Sequence, residues 1–139
     1  MNVMEDMNME FFVPMIPPTC TAQEKRVKYV NGKYHFYDKT EVKAAKAKLI
    51  SNIGKHKPED SPKYRSAVRL IVKWCFPITG NHADGEWKIT KPDTDNLNKM
   101  LKDVLTKLGF WNDDAVVCSE VIEKFWAAHP GIYIKIDEL

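Results

Sequence analysis

The sequence predicts an α+β domain in which a mixed β-sheet is backed by two main helices. Three patterns favour this class. Apolar and polar residues alternate over 68–76, as in a strand with one buried face. Apolar residues recur every three or four positions over 95–108, as in an amphipathic helix. Asn31-Gly32 separates two alternating runs, which is the strongest short-range signal of a hairpin.

The N-terminal half is expected to contain a strand, a hairpin and a helix. The first strand is predicted over 11–16, and prolines within and after it end it early. The hairpin pairs 25–30 with 33–37. The segment Asp38-Lys39-Thr40-Glu41 fits a capping box, so a helix should begin there and end at Gly54.

The C-terminal half begins with the strand over 68–76. A long loop over 77–90 leads into the second helix, which ends at Gly109, a residue typical of helix C-termini. Two more strands are predicted over 115–126 and 132–136. The full order is therefore strand, hairpin, helix, strand, helix, strand, strand.

Composition places the chain among soluble globular proteins with a single domain. The 139 residues are 44% hydrophobic and 29% charged. No apolar stretch approaches the roughly 18 residues of a membrane span. Residues 1–10 are expected to be a flexible lead-in to a domain over 11–139. The start of the chain is acidic where a signal peptide is basic, so a cytoplasmic location is expected.

The cysteines and the charge distribution narrow the possible functions. Cys20, Cys75 and Cys118 are odd in number and far apart, which predicts buried free thiols and no disulfide framework or zinc cluster. Lys and Arg exceed acids by nine over 11–73, whereas acids exceed them by four over 74–139. This asymmetry suits a polyanion-binding surface beside a cation site, and it also suits a solvated helix face.

The hairpin is a candidate DNA-contacting element. Lys25, Arg26, Lys28 and Lys33 alternate there with tyrosines. Basic groups contact phosphates and aromatic rings stack on exposed bases. An ordinary ribbon whose tyrosines cover the core would have the same pattern, so both interpretations stay open.

Carboxylates stand at both ends of the second helix. Asp93 and Asp95 precede or open it, and Asp113 and Asp114 follow it. Two carboxylates brought to about 5 Å repel by roughly 3 kcal/mol at an effective dielectric near 20. If the fold gathers them, a cation must offset the repulsion, and hard oxygen ligands suit Mg²⁺ or Mn²⁺.

The same acids have simpler explanations. Acidic residues in a first helical turn favour the helix dipole, and Asp95 with Lys99 has the spacing of an ordinary ion pair. A nucleotide-sugar site is also possible, although the sequence has no Gly-rich loop to hold phosphates. The alternative to an enzyme is a non-catalytic module that binds branched DNA and uses its acids to cap a helix.

Together the two acidic motifs carry a resemblance. Lys91-Pro92-Asp93-Thr94-Asp95-Asn96-Leu97, with Lys99 and then Gly109-Phe110-Trp111-Asn112-Asp113-Asp114, resembles the RusA family of Holliday junction resolvases over most of the chain. The resemblance implies a Mg²⁺-dependent endodeoxyribonuclease of phage or prophage type that acts as a homodimer on four-way junctions in recombination and repair. Mn²⁺ is a possible substitute for Mg²⁺.

The resemblance also implies roles for individual residues. Asp93, Asp95 and Asp114 correspond to catalytic carboxylates that hold the metal, and Lys99 to an essential basic partner. Asp113 is a possible accessory. The chain departs from the family at 17–23, which is uncharged where the family often has a basic run after its first strand.

Overall fold

The computed structural model describes residues 7–21, 27–36 and 39–139, and there it confirms the predicted α+β class and order of elements. These residues form a four-stranded sheet, a separate hairpin and two α-helices. The elements are β1 (Met9–Pro14), β2 (Val27–Val30), β3 (Lys33–Phe36), α1 (Lys39–Ile53), β4 (Val68–Pro77), α2 (Thr94–Lys107), β5 (Val117–Ala127) and β6 (Gly131–Glu138).

The sheet is mixed and has β4 near its centre. Its strand order is β1-β6-β4-β5, with β4 antiparallel to β6 and parallel to β5. The predicted alternation along β4 is confirmed, since every second side chain is buried: Val68, Leu70, Val72, Trp74 and Phe76. One face of the sheet therefore carries the core on which the helices pack.

Helix α2 connects the two parallel strands. Parallel neighbours cannot be joined by a tight turn, so the chain crosses over through this helix. The predicted apolar stripe of α2 is buried: Leu97, Met100, Leu101, Val104 and Leu105. Each such side chain contributes about 1.5–3 kcal/mol when fully buried. This packing determines which face of α2 is left unburied and can contribute to a functional site.

The hairpin and α1 follow the predictions closely. Asn31 and Gly32 both have positive φ, 53° and 76°, as a two-residue type I′ turn requires. Helix α1 begins inside the predicted capping segment and buries Leu49 and Ile53. A short 3₁₀ turn, Gly54–His56, extends it.

Several boundaries differ from the predictions. Strand β1 includes Met9, which the sequence assigned to the lead-in. A 3₁₀ turn over Asp114–Val116 replaces the predicted start of a strand at Ala115, because the chain must still turn from α2 into the sheet. The prediction of buried thiols is wrong, since Cys118 is exposed and Cys20 and Cys75 are only partly buried, while Cys75 and Cys118 are free thiols as expected. Across the described ranges, no helix is long and apolar enough to cross a membrane.

The long loop before α2 is partly attached to the sheet. Gly85 N donates to Trp126 O at 2.7 Å, Trp126 N to Glu86 O at 2.9 Å, and Lys88 N to Lys124 O at 3.1 Å. Backbone groups that β5 would otherwise expose at the sheet edge are thereby paired. The loop thus follows β5 back to the start of α2.

Gly109, between α2 and the Asp113-Asp114 pair, should not tolerate a side chain. Its φ is +83°, and an added Cβ would lie 2.0 Å from Ser61 Oγ and 2.9 Å from Ser61 Cβ. Gly109→Ala should therefore lower the free energy of unfolding by about 2–3 kcal/mol, combining backbone strain and overpacking. Denaturant unfolding followed by tryptophan fluorescence measures this change.

Gly85→Ala is the matched control. Gly85 has the same φ of +83°, but nothing lies within 4 Å of an added Cβ. It should lose only about 1 kcal/mol, from backbone strain alone. Equal losses for the two variants would show that the close approach of Ser61 has no energetic consequence.

Candidate active site

One face of α2 lines a polar cleft beside β5. Asp95, Asn98, Lys99 and Lys102 lie on this face because they are separated by three, four and seven residues. Across from them, Glu120 and Ile122 point the same way from alternate positions of β5. Thr94, Asp103 and Asp114 complete the lining of a cleft of about 530 Å³.

Contacts between β5 and the region of α2 show the relative direction of these two elements. Lys124 Nζ donates to Pro92 O at 2.7 Å, whereas Glu120 contacts Asn98 and Lys102. Strand β5 is therefore antiparallel to α2. Asp95 lies in the first turn of α2, and Asp114 lies in the 3₁₀ turn that precedes β5. Both acids line the same cleft.

The two acids at the head of α2 differ in their surroundings. Asp93 occupies the N-cap position, yet its side chain makes no capping hydrogen bond, and it does not line the cleft. Asp95 does line it. In the part of the chain that the structure describes, the possible ion pair between Asp95 and Lys99 is not formed. Of the simpler explanations, the ion pair of Asp95 and a capping hydrogen bond of Asp93 are therefore not formed, whereas Asp95 does stand in the first turn of α2, where the helix dipole favours an acid.

The adjacent acids after α2 also have different roles. Asp113 Oδ1 accepts a hydrogen bond from Ala115 N at 2.9 Å, which caps the 3₁₀ turn. Asp114 is the first residue of that turn and faces the cleft. Asp113 thus holds the turn that places Asp114.

Two lysines hold the chain just before Asp93. Lys124 Nζ donates to the carbonyl oxygens of Thr90 and Pro92, each at 2.7 Å. Lys88 Nζ donates to Thr90 Oγ1 at 2.5 Å and to Lys91 O at 2.6 Å. Burial, and then the charge of Lys124, lowers the pKa of Lys88. These hydrogen bonds from two ammonium groups to backbone oxygens hold the segment that leads into α2.

Glu120 is fully engaged by its neighbours. Its Oε1 accepts from Lys102 Nζ and its Oε2 from Asn98 Nδ2, both at 2.7 Å. With both oxygens occupied and its charge paired, Glu120 is not a free carboxylate of the cleft. It fixes the side chains of α2 that it contacts.

Comparison with known proteins identifies the family of this chain. A family model described as endodeoxyribonuclease RusA matches residues 15–137. The chain belongs to the RusA family. It is 34% identical over 113 residues to "Crossover junction endodeoxyribonuclease rusA" of Lactococcus phage r1t, covering 80% of this chain and 83% of the relative.

A second relative matches a similar share of the chain. "Uncharacterized protein YqaN" of Bacillus subtilis (strain 168) is 28% identical over 120 residues, covering 78% of this chain and 82% of the relative. Family membership makes the chain an endodeoxyribonuclease and gives it a branched DNA substrate. The resemblance inferred from the two acidic motifs is confirmed.

The cleft of this RusA protein has the donor chemistry for a hard divalent cation. Asp95 and Asp114 offer carboxylate oxygens, and the amide oxygen of Asn98 is buried with no hydrogen-bond partner among the residues that the structure describes. No three His, Cys, Asp or Glu side chains among the described residues stand close enough to hold a metal ion together. A hard cation in this cleft would therefore have one or two carboxylates as charged ligands, with the rest of its shell from neutral oxygens such as amides and water.

The basic residues predicted to contact DNA belong to the hairpin region. Lys25 and Arg26 lie outside the described residues, and Lys28 and Lys33 are on β2 and β3, opposite His35 and Val30.

The sequence did not predict three residues that line the cleft, which are Asn98, Lys102 and Glu120. The helical spacing from Asp95 could have indicated the first two, but no local pattern indicates which residue of β5 faces them.

The lysine contacts before Asp93 should matter for activity more than for stability. Lys124→Met removes two of the lysine hydrogen bonds that hold the entry to α2, so the cleavage rate of a branched DNA should fall about 10- to 100-fold. Lys135→Met is the control, since Lys135 lies on β6 away from this entry and pairs with Asp137 at 3.7 Å. Equal cleavage rates in both variants, with both proteins folded, would contradict this positioning role.

Proposed function

We propose that this protein resolves four-way DNA junctions by paired, symmetric hydrolysis of phosphodiester bonds with Mg²⁺, in recombination and repair. One observation supports the proposal: Asp95, Lys99 and Asp114, to which the resemblance of the two acidic motifs assigns catalytic roles, line a single cleft. Asp95 and Lys99 come from α2, and Asp114 comes from the 3₁₀ turn that follows this helix. The name of the phage relative agrees with a substrate of this kind.

In this proposal Asp93, Asp95 and Asp114 are the catalytic carboxylates: Asp95 and Asp114, which line the cleft, hold the cation, and Asp93, at the N-cap outside the lining, joins them when its side chain turns toward the bound cation. Bound Mg²⁺ would polarise a water molecule and offset the negative charge that gathers on the phosphate during attack. Mn²⁺ is an acceptable substitute because it prefers the same oxygen ligands. Asp113 contributes indirectly, through the turn that places Asp114.

Lys99 acts on the phosphate. It is exposed, lines the cleft and lies one helical turn beyond Asp95. An ammonium group there can bind the scissile phosphate or orient the attacking water. Because no carboxylate in the described ranges pairs with Lys99, its charge is available to DNA.

A homodimer follows from the symmetry of the substrate. Resolution of a junction requires two cuts related by a two-fold axis, and the chain has one copy of the motif. A C2 dimer supplies the second copy in the matching orientation. Shape and phosphate contacts, including those of Lys25, Arg26, Lys28 and Lys33, then recognise the junction. Such DNA lies in the bacterial cytoplasm, which is the compartment proposed for the protein.

The direct test is cleavage of a labelled synthetic four-way junction beside a linear duplex of the same sequence. Paired nicks in the junction alone, present with Mg²⁺ and absent with EDTA, are expected. Binding without cleavage in either Mg²⁺ or Mn²⁺ would favour the non-catalytic module. A protein that neither binds nor cuts the junction would contradict both functions.

Loss of a single carboxylate should separate cleavage from binding. Asp95→Asn or Asp114→Asn should bring cleavage below detection because the cation loses a charged ligand. Junction binding should stay equal or become tighter, since a negative charge near the phosphates is removed. Gel-shift and cleavage assays on the same junction measure the two properties.

Asp60→Asn serves as the control for these variants. Asp60 is an exposed acid on the loop between α1 and β4, outside the lining of the cleft. The Asp60→Asn variant should cleave the four-way junction at the wild-type rate. Simultaneous loss of binding and cleavage in the cleft variants would count against their assignment as metal ligands.

The oligomeric state is predicted to be a dimer in solution. Light scattering coupled to size exclusion should give twice the chain mass of 16.1 kDa, without DNA and at micromolar concentration. Junction affinity should fall steeply as salt rises, because phosphate contacts release counterions. A monomer that cuts both strands of the junction in a coupled manner would contradict the symmetric arrangement.

A further inference from the structure

Asn98 has an unusual environment for a helical residue of the cleft. It is only 5% exposed and stands one turn after Asp95 on the same face of α2. Its Nδ2 donates to Glu120 Oε2 at 2.7 Å. Its Oδ1 is buried and has no hydrogen-bond partner in the described part of the chain. Buried amide oxygens without a partner are rare in folded proteins and call for an explanation.

The orientation of the Asn98 amide is fixed by its neighbour. A carboxylate only accepts hydrogen bonds, so the amide must turn its NH₂ group toward Glu120. Glu120 cannot move away freely, because Lys102 holds its other oxygen at 2.7 Å. The amide oxygen therefore cannot exchange places with the nitrogen. A neutral oxygen acceptor is thereby held in one orientation with no donor from the described residues, where a water molecule or a cation can satisfy it.

We propose that Asn98 Oδ1 is a neutral oxygen ligand of the divalent cation that this cleft binds, and that Glu120 is the positioning residue that aims it. The inference rests on the proposed function, and it adds a residue that the acidic motifs do not include. Asp95 supplies charge to the same site from one turn earlier. Amide and carboxylate oxygens are both ligands that Mg²⁺ and Mn²⁺ accept.

The charges around the site explain why a neutral ligand is useful. Glu120 is paired with Lys102, so neither adds net charge to the cleft. Asp95 and Asp114 attract the cation, while Lys99 keeps a positive charge for the phosphate. A further free carboxylate would repel DNA, whereas an amide oxygen binds the cation without that repulsion.

The test measures Mn²⁺ affinity of the DNA-free protein, from the electron paramagnetic resonance signal of free Mn²⁺. Asn98→Leu keeps a similar volume and removes the oxygen, so affinity should fall about tenfold. Asn98→Asp restores an oxygen, so affinity should equal or exceed that of wild type. Asn52→Leu is the matched control, since Asn52 is a helical asparagine of α1 that donates to Lys48 O, and it should bind Mn²⁺ like wild type.

A second measurement does not depend on the folding of Asn98→Leu. Without cation, Asn98→Asp places two carboxylates against each other at Glu120, which should lower the melting temperature. Mn²⁺ relieves this repulsion, so the rise in melting temperature on adding Mn²⁺ should be larger than in wild type. A purely structural asparagine would give the same rise in both proteins.

Asp95→Asn separates failure of this inference from failure of the proposed function. If Asp95→Asn weakens Mn²⁺ binding but Asn98→Leu binds like wild type, the role of Asn98 is overturned and the metal site stands. An Mn²⁺-induced rise in melting temperature that is equal in Asn98→Asp and wild type overturns it as well. If wild type neither binds Mn²⁺ nor cuts a junction, the proposed function fails and this inference fails with it.

Discussion

The parallel pairing of β4 with β5 is the constraint on which the candidate site depends. It extends from Val68 opposite Val117 to Pro77 opposite Ala127. Two parallel neighbours require a crossover, and α2 is that crossover. The helix must therefore lie across the sheet face with its apolar stripe inward, which leaves its polar face beside β5. The cleft exists because one strand pairing dictates where the helix can go.

Structure that depends on residues close in sequence was predictable, whereas contacts between segments distant in sequence were not. The spacing of apolar residues in α2, the turn at Asn31-Gly32 and the alternation along β4 each reflect interactions between near neighbours in sequence, and each prediction agrees with the structure. Residue motifs also predicted Asp95, Lys99 and Asp114 as site residues, and the structure places these three along one cleft. Contacts such as that of Asn98 with Glu120 depend on how a strand 22 residues away is registered against a helix. Nothing in either segment alone encodes that register.

The expected close cluster of carboxylates is not formed among the described residues, where no three His, Cys, Asp or Glu side chains stand close enough to hold a metal ion together. Asp95 and Asp114 line the cleft, whereas Asp93 does not. A more open arrangement of acids lowers their mutual repulsion. Glu120, whose charge would add to it, is neutralised by Lys102. The fold therefore keeps its acidic groups available without large electrostatic destabilisation.

The attachment of the loop before α2 has a consequence for how such a protein can change over evolution. Residues 85–88 are hydrogen-bonded to β5, and the carbonyls of 90–92 are held by lysines. Insertions at the exposed tip, around Gly80, would be isolated from the catalytic helix by these two anchors. The tip can therefore lengthen or diverge while the geometry of the cleft is inherited unchanged. Within this one connection, the segment that can vary is thus separate from the segment that holds the start of α2.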